Sequence, residues 1–427
     1  METKIIKRHP LGNPKRVWKQ DKFIFSAFNG VSGNMRLGFL NAKEAGFNML
    51  ELGWAKSEEV DLAIPVAEEV GMDLMVQDWR YFGGFQETRE KVIDMKELEK
   101  YIEFSKKYRH IVAYYVWDEP YYQEDVEKAA AQLKIMEELD PERHPFVVAI
   151  PSYNKEYRYE NDLFDEYMER YCDTIEPPVL SLDFYCIRGL DDATQIDNKK
   201  IYKDLFVMRR LCRKHQMPLW FYFQSSGDLS VVDGSMLGVN FRHIQLQVNL
   251  SLLYGTKGLQ YYNITNGIIR RADGKKGEFF HDVKKLNRSI LMWSPVLMSV
   301  ESDAVYHSLD VLPEDPKFRT DYCDNIADSK IFAEELPNRI SAAELSDAEG
   351  NKYIMIMNRD YIRRHEMSLK LKENVRIYEV SKKSGAQKII CENTDVINLT
   401  LEPTDAVLYR IQKADEAPFS IEYLLEK

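Results

Sequence analysis

The run IVAYYVWDE, residues 111 to 119, is apolar, β-branched and aromatic until it ends in two adjacent carboxylates, Asp118 and Glu119, with Pro120 behind them. Such a run reads as a buried strand, and the proline makes its stop at Glu119. Seven more runs share this texture: FIFSAFNG (23 to 30), NMLELGW (48 to 54), DLMVQDW (73 to 79), PFVVAIPSY (145 to 153), VLSLDFYCI (179 to 187), PLWFYFQSS (218 to 226) and GLQYYNI (258 to 264). Stretches with helical spacing separate them. Asn34 and Ser57 stand where N-caps are expected, and Gly46 and Gly71 where helices should close. HDVKKLNRSILMWSPVLMSV, residues 281 to 300, supplies the eighth helix. Eight strand and helix pairs are the number that closes a (β/α)8 TIM barrel, and this assigns residues 1 to 300 to an α/β barrel domain. An open doubly wound sheet would need a glycine-rich phosphate turn, and FNGVSGN lacks its spacing.

Beyond residue 300 the texture changes. KYIMIMNRD, HEMSLKLK, VRIYEVSK, KIICEN and AVLYRIQK are short strand-like runs between charged turns. They read as a C-terminal all-β sandwich over residues 341 to 427, with 301 to 340 as the connection. Period-two alternation in these strands suits a sheet with a buried face. The domain is expected to stabilise the barrel and to bring no catalytic group.

Composition narrows the function. Fifty-eight basic against 69 acidic residues give a net charge of −11 with no basic run, which argues against nucleic acid as a partner. Five widely spaced cysteines without a CxxC argue against a disulfide framework or a zinc site and read as buried thiols. No HExxH or paired histidine spacing calls for a metal, no GxSxG marks a serine nucleophile, and no cofactor is implied. No stretch reaches the roughly 18 apolar residues of a membrane span. The N-terminus lacks an apolar export signal, which fits a cytoplasmic protein or a mature form whose signal has been removed. Association into a homo-oligomer is left open. The 25 Tyr and 6 Trp, rings with a polar handle, suit the C–H faces and hydroxyls of a carbohydrate.

In a barrel of this class the chemistry sits at the C-terminal strand ends. Those ends carry Glu51 and Trp54, then Asp78, Trp79 and Arg80, then Trp117, Asp118 and Glu119. Tyr153, Asp183 and Tyr185, Gln224 and Tyr262 follow on the later strands. Glu119, after an apolar run, is the candidate proton donor; Asp118 competes with it, because one step along a strand changes face. For Asp78 and Glu51 a capping or ion-pairing role stands beside the functional one. Arg80 and Arg188 could hold a uronate carboxylate or pair with a barrel acid.

VAYYVWDEPYY, LSLDFYCI, MPLWFYFQSSG and QLQVNLSLLYGTKGLQYYNI together resemble the barrels of clan A glycoside hydrolases, most closely the family-42 β-galactosidase-like group, over about residues 20 to 300. The resemblance implies Glu119 as general acid/base, with Asp118 where the clan normally has Asn. It also implies a nucleophilic Glu at the end of strand seven, where this chain aligns Phe223 beside Gln224. The second carboxylate is then expected from another strand, Asp183 first and Asp78 or Glu51 next. This makes a glycoside hydrolase the leading reading. A carbohydrate-binding barrel without catalysis, or a non-hydrolytic enzyme such as a lyase, is the alternative.

Overall fold

The structure is a computed structural model, and it describes residues 11–28, 33–53, 57–78, 94–152, 163–187, 198–225, 239–265 and 267–418. Eight parallel strands close a barrel in sequence order: β1 (Ile24–Phe28), β2 (Met49–Leu52), β3 (Asp73–Val76), β4 (Ile111–Asp118), β5 (His144–Ala149), β6 (Leu180–Phe184), β7 (Leu219–Gln224) and β8 (Gly258–Tyr262). Every strand read from the sequence is present, shorter by one to several residues. The helices are α1 (Met35–Glu44), α2 (Ser57–Val70), α3 (Met95–Ser105), α4 (Gln123–Leu139), α5 (Leu163–Ile175), α6 (Asn198–His215), α7 (Phe241–Leu253) and α8 (Phe280–Ser299). Asn34 caps α1 by accepting from the Leu37 N–H, whereas Ser57 is itself the first residue of α2. Gly46 and Gly71 close α1 and α2 at φ of +93° and +69°, a region that costs other residues strain.

Alternation sorts the barrel side chains into two populations. Phe25, Leu50, Leu74, Tyr114, Leu182, Phe221 and Leu259 join the helix-facing core, while Ile24, Met49, Tyr115, Phe146, Trp220 and Tyr222 fill the interior. At the N-terminal end, residues 11 to 22 fold across the barrel floor. Leu11 pairs with Gln20, whose side chain accepts from Trp220 Nε1 at 2.8 Å and donates to the Lys257 carbonyl at 2.8 Å.

The C-terminal part is an antiparallel sheet of six strands: β9 (Val300–His307), β10 (Ile340–Asp347), β11 (Lys352–Asn358), β12 (His365–Val380), β13 (Gln387–Leu401) and β14 (Ala406–Lys413), in the order β13-β12-β14-β11-β10-β9. Its edge strand β9 lies in the stretch read from sequence as connection, which also contains the short helix α9 (Pro316–Tyr322). Leu345, Tyr353, Met355, Met357 and Leu408 join the core shared with the barrel. The opposite phase, Ile354 and Ile356, packs with Phe332 and with Leu369, Leu371, Ile397 and Leu399 of the β12–β13 hairpin. Both faces are therefore covered, one by the barrel and one by the hairpin. All five cysteines are free thiols, Cys172, Cys186 and Cys212 buried, Cys323 and Cys391 only partly so. Among the described residues no helix is long and apolar enough to cross a membrane.

Trp293 of α8 ties the two parts together: its ring is 2% exposed, its Nε1 donates to the Val380 carbonyl at 2.7 Å, and Lys382 lies 5.4 Å from the ring centre. Truncating a buried indole costs about 3 to 5 kcal/mol. Trp293→Ala is therefore expected to lower the denaturation midpoint and to promote aggregation, read by thermal melting with light scattering. A melting curve unchanged from the parent would show that the sheet does not need this anchor.

Candidate active site

Strand β4 determines what reaches the C-terminal mouth. Its register against β5 slips between Tyr115 and Trp117, so Val116 is an extra residue, and Trp117 pairs with Val147 and Asp118 with Val148. A bulge of this kind shifts the phase of everything after it. Val116 and Trp117 both fall into the helix-facing core, Trp117 with 1% exposure, while Asp118 takes the inward phase of Val148. Trp117, read as a wall of a sugar subsite, thus packs behind the barrel and not in its mouth. The next residue, Glu119, has φ of +46°, a left-handed conformation that non-glycine residues avoid at a cost on the order of 1 kcal/mol.

The two carboxylates need no choice between them, because both meet the inward-facing Asp183 of β6. Glu119 and Tyr185 reach the Asp183 carboxyl and lower its pKa, and the charge of Asp118 acts on it in the opposite direction. Asp118 is held in turn by the Tyr115 hydroxyl, which donates to Oδ1 at 2.8 Å. Asp183 keeps some exposure as a residue, yet its Oδ1 is shut off from solvent and has no hydrogen-bond partner. Burial first, and the Asp118 charge second, raise the Asp183 pKa to about 7, against the hydrogen bonds from Glu119 and Tyr185. Two carboxyl groups can hydrogen-bond only when one holds a proton. The raised Asp183 pKa fits a proton shared within this group.

Rings frame this group. Tyr185 and Tyr262 lie with centroids 4.7 Å apart, each 8% exposed, and Tyr262 meets Phe28 at 5.2 Å. The Tyr262 hydroxyl feels the charges of Asp183, Asp118 and Glu119, so the ring belongs to the same patch; burial and those charges raise its pKa. Tyr167 of α5 reaches in from the helix layer, donating to the Pro120 carbonyl at 3.0 Å and fixing the turn behind Glu119. Tyr115 and Tyr167 were not singled out by the sequence; the inward phase of Tyr115 was the available signal for one, and nothing marked the other.

Glu51 sits deeper. It is fully buried, accepts from the Ser26 and Tyr222 hydroxyls, and accepts from Gln260 Nε2 at 3.0 Å. These donors come from β1, β7 and β8, so the group knits the barrel interior. Burial raises its pKa to about 7 in spite of the Ser26 and Gln260 hydrogen bonds. Gln224, also fully buried, accepts from the Ile187 N–H at 3.2 Å through its side chain, and its backbone is held by Gln247. Phe223 faces the helix layer, and the inward residues of β7 are Trp220, Tyr222 and Gln224, so this strand itself brings no carboxylate to the mouth. Asp78 is fully buried just beyond β3. Trp54, Trp79, Arg80, Tyr153 and Arg188 lie outside the described residues.

No protein-family model matches the chain, and no curated protein matches it in sequence. Solved structures do match. A protein assigned as an alpha-galactosidase from Bacteroides fragilis NCTC 9343 is 10% identical with a TM-score of 0.50, over 92% of this chain and 80% of that one. A glycoside hydrolase family 5 protein from Bacteroides vulgatus ATCC 8482 is 12% identical with a TM-score of 0.45, over 99% and 98%. One assigned as an alpha-L-fucosidase from Bacteroides thetaiotaomicron VPI-5482 is 14% identical with a TM-score of 0.47, over 67% and 99%. What they share with this chain is the fold. At such identity no residue role transfers, and the site stands on its own geometry.

Two acids with raised pKa make stability fall as pH rises. Glu51 binds its proton more tightly folded than unfolded, so its contribution is complete below its unfolded pKa of 4.5 and is lost as pH climbs through about 7. Glu51→Gln, which carries no titrating proton, is expected to flatten the slope of the urea midpoint between about pH 5 and 8. An unchanged slope would mean that Glu51 does not titrate in this window.

Proposed function

We propose that the protein is a glycoside hydrolase that uses Glu119 as general acid and Asp183 as general base or nucleophile. The observation that carries this reading is the meeting of Glu119, Asp183 and Asp118 at the C-terminal mouth of the barrel, against the Tyr185 and Tyr262 rings. A glycosidic oxygen leaves only when protonated, and a donor and an acceptor carboxyl on opposite sides of the anomeric carbon are the usual means. Burial and the charge of Asp118 raise the Asp183 pKa, so the acids at the mouth are coupled before substrate arrives. Glycosidase-type neighbours in fold and the resemblance to clan A sequences, with the family-42-like group nearest, support the same class.

Two carboxyls that reach each other are closer than the roughly 5 to 5.5 Å or 6.5 to 9.5 Å separations of retaining and inverting enzymes. A sugar ring entering the mouth has to part the two carboxyls. The left-handed Glu119 backbone and the partnerless Asp183 Oδ1 give that step a starting point, since the oxygen gains a partner when a hydroxyl arrives. The closeness of the pair also favours a second reading, a barrel that binds carbohydrate without cleaving it. Product analysis separates the two: reducing ends released from an oligosaccharide panel fit hydrolysis, calorimetric binding without products fits the second reading, and an unsaturated product would identify a lyase.

On a cleaved substrate, Glu119→Gln and Asp183→Asn are each expected to lose about 10²-fold or more in kcat with little change in melting temperature. Wild-type rates in either variant would remove that residue from the mechanism. Because Asp183 must be ionised to accept, kcat/KM should rise with pH through about 7. Asp118→Asn removes a charge that opposes this ionisation and should move the rising limb to lower pH. A limb that stays in place, or moves up, would show that Asp118 does not act on Asp183.

A further inference from the structure

At the opposite end of the barrel, beneath the strands, lies a cavity of about 950 Å³ that the proposed chemistry does not use. Its inner wall is apolar, formed by Ile24, Met49, Val112, Ala113 and the indole of Trp220. Trp18, from the segment that crosses the floor, forms another wall and stacks on His144 with ring centroids 4.5 Å apart. His144 is 1% exposed and neither ring nitrogen has a hydrogen-bond partner. Burial holds its pKa down to about 3, so it is neutral and offers one unused donor and one unused acceptor beneath Trp18.

The rim is charged, and most of its charges are spent. Lys22 pairs with Asp73 at 2.5 Å, Arg143 with Asp140 at 2.7 Å, and Lys106 with Glu103 at 2.8 Å. Two cations are left. Lys19 donates to the Asn13 carbonyl and Arg109 lies 3.0 Å from the His110 ring nitrogen, and neither has a carboxylate partner among the described residues. Asp21 and Glu142 on the same rim match these two cations in number, and the lining as a whole, five basic against four acidic residues, is only weakly positive, which suits one negative charge and disfavours a polyanion.

We propose that this cavity binds a small aromatic monoanion, its ring against Trp18 and the Met49 and Trp220 wall and its charge at Lys19 and Arg109. The volume is that of a small-molecule pocket, and an apolar body with a few charged groups at the rim is what such sites use for orientation. A shift of Trp18 on binding would also open the His144 nitrogens to a ligand hydroxyl or carbonyl. This end of the barrel is separate from the carboxyl group at the mouth, so the proposal stands or falls independently of glycoside hydrolysis.

The test uses the full chain and 8-anilinonaphthalene-1-sulfonate as probe, with benzoate, benzenesulfonate and the neutral benzyl alcohol as competitors. Expected are saturable one-site fluorescence, displacement by benzoate or benzenesulfonate but not by benzyl alcohol, and a loss of affinity of about tenfold or more in Lys19→Glu/Arg109→Glu. The anion that displaces better tells carboxylate from sulfonate. Arg109 is exposed, so Arg109→Ala alone, with melting temperature checked, guards against a folding defect in the double variant. Absence of saturable binding, equal displacement by benzyl alcohol, or unchanged affinity in a folded Lys19→Glu/Arg109→Glu variant would overturn the proposal.

Discussion

A closed eight-stranded barrel has room inside for little more than the side chains that point inward, and every one of those has to be packed or hydrogen-bonded. Here the interior is filled by rings, Phe28, Tyr115, Phe146, Trp220, Tyr222 and Tyr262, with one carboxyl, Glu51, among them. Glu51 is tolerable only because donors from β1, β7 and β8 converge on it. That packed interior is the platform on which the mouth is built. The Tyr115 ring belongs to it, and the same residue's hydroxyl fixes Asp118.

Above this platform the order of the groups follows from depth. Glu51 is enclosed by three donors and has no route to a ligand, whereas Asp183 keeps some exposure and an oxygen without a partner. Both have raised pKa values for the same first cause, burial, but only one stands where a substrate could exchange protons with it. A perturbed acid alone therefore does not mark a functional position; burial raises Glu51 and Asp183 alike, and what separates them is their place in the barrel.

The sheet behind the barrel plays a different part. It covers the face of α7 and α8 with one layer of apolar residues and uses hydrogen bonds at a few points, such as Asn249 to the Thr404 carbonyl at 2.8 Å and Trp293 to Val380 at 2.7 Å. β9 follows α8 directly and Tyr254 at the end of α7 meets His307 at 2.8 Å, so the sheet begins where the barrel ends. None of its described residues enters the group of carboxyls at the mouth.

The sequence by itself determined the eight strands, the helix caps at Asn34, Gly46 and Gly71, the all-β texture after residue 300, and the pair Glu119 and Asp183 as acids at strand ends. Those features are written locally, in hydrophobic period and in the residues that stop an element. It could not decide which way Trp117, Asp118 and Phe223 point. Simple alternation puts Trp117 in the barrel, and only the slip of β4 against β5 turns it out and Asp118 in, an outcome of strand pairing that one strand cannot show. The separation of Glu51 from Asp183 was equally hidden. Both are acids near strand ends in the sequence, and their fates differ because Ser26, Tyr222 and Gln260, from distant parts of the chain, close around the first, while the second is met by Glu119 and Tyr185.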